Sequence, residues 1–158
     1  MNYLNLYGFS LSFIFCCTLS FAQDRVVLKE PDNNKPILFS NLPDKIAVDT
    51  NELKNLFCYT AAKGKEINVS FTDKKLPGFN GKIISATSKY NNTLHSVIVS
   101  STRFNGATLT FSSSTTTDGT VRYAGRIVSF QHGDSYVLQK EEEQYFLIKK
   151  KFDELVNE

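Results

Sequence analysis

The chain lacks tryptophan altogether, has one methionine and two histidines, and carries only three cysteines. Each shortage limits the chemistry. A catalytic zinc usually takes three protein ligands, mostly His and Cys. His95, His132 and Cys58 stand far apart and make no HExxH or CxxC spacing, so neither a metal nor another cofactor is expected. No serine sits in a GxSxG elbow, and there is no GxGxxG or other glycine-rich phosphate loop. Glycoside cleavage needs two opposed carboxylates. The acids gather instead in the N-terminal stretch, an early helix, a Glu tract and the C-terminus. No catalytic residue is assigned on this basis.

Charge is also missing, but only locally. Residues 1–22 contain no Asp, Glu, Lys, Arg or His, and Leu11 to Phe21 is an apolar run. Ser20-Phe21-Ala22 puts small residues where signal peptidase reads them, and Asp24 and Arg25 follow. The run is shorter than the ~20 apolar residues that span a bilayer. These features predict a signal peptide over 1–22, cut between Ala22 and Gln23, and an exported protein, secreted or periplasmic. The leader has no Lys or Arg, so an uncleaved anchor is the alternative. Cys16 and Cys17 follow Ile14 and Phe15, too bulky for a lipidation site, and would leave with the leader. Cys58 then has no partner for an internal disulfide. Its setting, Leu56-Phe57-Cys58-Tyr59, predicts a buried small hydrophobe.

The 18 Lys and Arg and the 16 Asp and Glu all follow the leader, with signs interspersed. That balance makes no broad basic surface, so no nucleic-acid partner is expected. Nor is a membrane span expected once the leader is gone. Residues 23–36 are dense in turn formers and read as a flexible N-terminal arm. Residues 37–158 suit a single domain, able to bury roughly two-thirds of its unfolded surface.

The patterning in that domain is mainly β. Ile37 to Ser40 and Lys45 to Val48 are candidate strands. Asp49-Thr50-Asn51-Glu52 opens a helix, with Leu53, Leu56 and Phe57 on one face, ending near Thr60. Period-two alternation then begins at Glu66. Strands are predicted at Lys82 to Tyr90, Thr93 to Ser101, Ala107 to Ser112 and Thr120 to Phe130, the last with a bulge or a bend near Gly125 to Val128. Tyr136 to Lys140 and Tyr145 to Lys150 form a hairpin across the Glu tract. Asn91-Asn92, Asn105-Gly106 and Asp118-Gly119 mark the turns. Phe152 to Val156 reads as a final helical turn. About seven or eight short strands, with one short helix before most of them, predict an antiparallel meander that is barrel- or sandwich-like.

Aromatic and basic residues carry the only recognition signal. Tyr and Arg favour binding surfaces. Arg103, Arg122, Tyr123, Arg126, His132 and Tyr136 are therefore the candidate binding residues, with Tyr90 and Tyr145 nearby in the β region. His132-Gly133-Asp134 reads as a tight turn with Gly133 at positive φ. The competing reading is a general base beside its carboxylate. Together these observations predict an exported, non-catalytic β-rich binding domain whose partner is a protein or a cell-surface polymer. One alternative is a small secreted hydrolase with a minimal site near His132. Another is an inhibitor or chaperone-like partner of an exported protein, using the arm or an exposed sheet edge for strand addition. A small-ligand barrel is a third. Oligomeric state is not legible.

Overall fold

The protein is described by a computed structural model covering residues 34–58 and 63–155. The chain divides into two units, Met1–Glu30 and Pro31–Glu158, and every described residue belongs to the second. The expected signal peptide, its cut at Ala22 and Gln23, and residues 23–33 of the arm lie outside the described residues.

Alternation of apolar and polar side chains builds the strands. They are β1 (Lys45–Val48), β2 (Glu66–Val69), β3 (Phe79–Lys89), β4 (Leu94–Ser101), β5 (Thr108–Thr115), β6 (Val121–Val128), β7 (Asp134–Glu141) and β8 (Gln144–Lys151). One helix, α1 (Thr50–Cys58), joins β1 to β2, and a 3-10 turn at Asp153–Leu155 follows β8. All eight strands form one antiparallel sheet in the order β1-β8-β7-β6-β5-β4-β3-β2. β2 to β8 are a simple meander. β1 is added beside β8, so β1 and β2 are the outermost of the described strands. The sheet curls enough for its edges to approach: Thr72 N, just beyond β2, donates to Ala47 O in β1 at 3.1 Å. The result is a half-barrel.

The core fills the concave side. One cross-strand row runs Ile83, Val99, Leu109, Ile127 and Tyr136, and all five are buried. α1 presents Leu53 and Leu56 to this core. Its start is capped as the sequence predicts, with Asp49 Oδ1 accepting from Asn51 N at 2.8 Å. Cys58 ends α1, and its side chain lies outside the described residues.

Several elements depart from the expected pattern. Ile37 to Ser40 forms no strand. Instead, the buried Asp134 carboxylate accepts from Leu38 N and Phe39 N, each at 2.7 Å, and takes the place of a neighbouring strand. The segment beginning at Glu66 leaves the sheet after Val69. β6 ends at Val128, and its register against β5 is unbroken through Gly125 and Val128. The register shifts instead in β3, between Ile83 and Ser85. The β3–β4 link is longer than two residues: Tyr90, Asn91 and Asn92 all take positive φ, and Thr93 N returns to Tyr90 O. β6 pairs with β7 over three residues only, Arg126 to Val128. Beyond them, Tyr123 N donates to the Tyr145 hydroxyl at 3.2 Å, a side chain standing in for a ladder partner.

Candidate functional site

The residues singled out from the sequence do not converge. Arg122 and Arg126 are exposed on β6, four residues apart on one face and so roughly 13 Å apart. Tyr123 points the other way, because successive strand residues alternate faces. It is half-buried, stacked on Phe57 of α1 with ring centroids 5.9 Å apart and edge-on to Tyr145 at 5.5 Å. Tyr136, expected on a binding surface, is 1% exposed. Its ring packs on Phe39 and its hydroxyl donates to Pro43 O. It is a core residue, and burial pushes its hydroxyl pKa well above the ordinary value, with Asp44 and Asp134 adding to the rise. Arg103 lies exposed in the β4–β5 loop.

His132 sits half-buried in the β6–β7 turn, with its Nδ1 hydrogen-bonded to Ser129 Oγ at 2.7 Å. The pair resembles the start of a catalytic relay, but its surroundings oppose that use. Ser129 is 0% exposed, and a nucleophile must reach substrate. Asp134, which would orient the imidazole, is committed to two backbone amides. The turn acts as a clasp. Gly133 N donates to Pro36 O at 3.0 Å, and Gly133 O accepts from Phe152 N at 2.8 Å, tying both ends of the described domain to the sheet. Gly133 is not among the positive-φ glycines, which are Gly64, Gly106 and Gly119. Its lack of a side chain matters for space: an added Cβ would lie 3.2 Å from Lys35 O.

Concavity appears elsewhere, between α1 and the β2 edge. Two depressions, of about 380 and 510 Å³, meet there. The first is lined by Glu52, Asn55 and Leu56 of α1, by Lys65 to Val69, and by Ile83. The second is lined by Asp49, Glu52, Asn68, Ser70, Phe71, Thr72, Lys74, Leu76 and Gly78. Glu52 and Asn68 belong to both, so the two form one groove. Along its sheet side, residues 65–72 line it without a gap. A strand that offered only a face would contribute every second residue. All four residues of β2, Glu66 to Val69, line it consecutively, so the backbone edge of that strand forms part of the wall.

The hydrogen-bond phase agrees with that arrangement. Ile83 N donates to Lys65 O, and Ile67 and Val69 pair with Gly81 and Phe79. In an antiparallel ladder the intervening residues turn their N–H and C=O groups outward. Glu66 and Asn68 therefore offer theirs to the groove. Opposite, Asp49, Glu52 and Asn55 recur at three-residue steps and form one helical face.

Compared with protein-family models, with curated proteins and with solved structures, the chain finds no match. The groove must be interpreted from its own chemistry. No His or Cys lines it, and among the described residues no three His, Cys, Asp or Glu side chains converge as metal ligands. Three carboxylates line it: Asp49 and Glu52 share the α1 wall one helical turn apart, and Glu66, 3.5 Å from Lys82 Nζ, stands on the β2 side. The arrangement offers backbone hydrogen bonds, apolar floor and fixed charge, which are the means of binding. Sequence reading missed this groove. Its local signal was the alternation through Phe71, which hides the exit from the sheet at Ser70.

Proposed function

We propose that this chain is a non-catalytic binding domain for another protein, and that it takes an extended segment of that protein along the free edge of β2. The unbroken lining by the four residues of β2, Glu66 to Val69, supports this reading best. An added strand sits ~4.8 Å from its neighbour and uses main-chain groups for affinity, whatever the peptide sequence. α1 supplies the second wall. The uncharged, apolar 1–22 segment supports placing this binding outside the cytoplasm.

Selection from a phage-displayed heptapeptide library on the folded protein, followed by amide hydrogen exchange on the complex, tests the reading. Bound peptides are expected to slow exchange at Glu66 and Asn68, amides that face the groove in the free protein. N-methylation of alternate peptide amides should abolish binding in one phase and leave it intact in the other. Protection confined to another surface, or no dependence on the methylation phase, would overturn strand addition.

A further inference from the structure

Granting the reading that the groove takes an extended segment, we infer that this segment carries a Lys or Arg with an apolar side chain two residues away on each side. The argument starts from Glu52. It lines both depressions and therefore stands where they meet. It is half-buried and has no ion-pair partner among the described residues. Glu66, across the groove, differs in this respect: it faces Lys82 Nζ at 3.5 Å. Asp49, one turn before Glu52, adds negative charge to the same wall. A half-shielded carboxylate without a cation is a place for one from the ligand.

The floor on either side of Glu52 is apolar. Leu56, Val69 and Ile83 lie in one depression, and Phe71 and Leu76 in the other. An extended chain points alternate side chains to one face, so those facing α1 recur every ~6.6 Å. Positions i, i+2 and i+4 of the ligand then meet apolar floor, Glu52 and apolar floor in turn. The apolar positions supply affinity. The central charge sets register, which backbone pairing alone leaves free to slip by two residues. An acidic residue at the centre would be desolvated against Glu52 and rejected.

Two capped synthetic peptides test this on the intact protein: Thr-Val-Thr-Lys-Thr-Val-Thr and its analogue with Glu in place of Lys. The wild type is expected to prefer the Lys peptide by on the order of tenfold. Glu52→Gln should level the two, and Glu52→Lys should invert the order. Glu143→Lys, at an exposed tip away from the groove, should leave the preference unchanged and controls for net charge. Exchange protection at Glu66 and Asn68 is read in the same samples. If β2 is protected equally by both peptides, or the preference ignores Glu52, the charge assignment fails and strand addition stands. If neither peptide protects β2 in a folded protein, the charge assignment fails together with its premise.

Discussion

The ring of Phe111 occupies the place of the side chain that Gly125 lacks. The two are cross-strand partners on β5 and β6, and a Cβ added at Gly125 would stand 1.8 Å from Phe111 Cδ1. Phe111 is 1% exposed, so the ring has nowhere to retreat. Gly125→Ala is expected to destabilise the protein by about 1–3 kcal/mol, the usual cost of overpacking. Gly125→Ala combined with Phe111→Leu should lose less than the two single variants added together. Urea unfolding of the four proteins measures the coupling, and strict additivity would contradict the contact. Gly81 is under similar pressure, since a Cβ there would meet Ser100 O at 2.3 Å.

Asp134 holds the segment before β1. Its carboxylate accepts from Leu38 N and Phe39 N inside the fold. Bonds to a charged acceptor contribute about 1.5–3 kcal/mol, so Asp134→Ala should cost about that much or more. Amide exchange at Leu38 and Phe39 should accelerate ahead of the rest of the domain. Equal acceleration throughout would mean that the contact does not act locally.

Tyr136 links stability to alkaline pH. Burial raises its hydroxyl pKa above the ordinary 10.0. The folded state thus favours the protonated phenol. The associated stability is complete below the ordinary tyrosine value and falls as pH rises above it toward the raised folded value. Tyr136→Phe is expected to flatten this alkaline loss, at a cost of about 1 kcal/mol near neutrality from the missing bond to Pro43 O. Denaturant midpoints across the alkaline range provide the check, and an unchanged pH slope in the variant would exclude Tyr136 as the source.

Asp118 has the opposite sign. The Thr116 hydroxyl, and then the Thr120 amide, hold its carboxyl down at about 2. The ordering of the β5–β6 turn that depends on this charge is present above the ordinary carboxylate value and is lost as pH falls toward 2. Thr116→Val should move the Asp118 titration, followed by carboxyl NMR shifts, back toward 3.8. No movement would remove the hydroxyl as the main cause.

In the β6–β7 turn, the bond between His132 and Ser129 predicts a mild effect. His132→Ala removes its bond to Ser129 and should cost about 0.5–1.5 kcal/mol. Thermal melts measure it. A loss of several kcal/mol would mean that the ring carries more than this brace.

The sequence alone determined the local elements. β1 occupies Lys45–Val48 as its pattern predicts, and α1 starts after its Asp49 cap. Leu109 and Phe111 alternate with threonines and face the core. The hairpin across the Glu tract turns at Glu142 and Glu143. Such features depend on neighbours within a few residues, through side-chain alternation, capping and turn chemistry, so the sequence displays them directly.

Only the tertiary structure decided which strands became edges, and that choice created the groove. Nothing near Ile67 says that its strand has no second partner among the described strands. The eight-strand order says so, with β1 taken up by β8 and β2 left outermost. Tyr136 shows the same limit, because alternation gives it a face but not the segment from Phe39 to Pro43 that covers it. Leu38 and Phe39 have the composition of a strand, yet their amides are satisfied by a carboxylate 96 and 95 residues away, respectively. Contacts of that sequence separation are set by how the sheet curls and closes its core, and no local pattern encodes them.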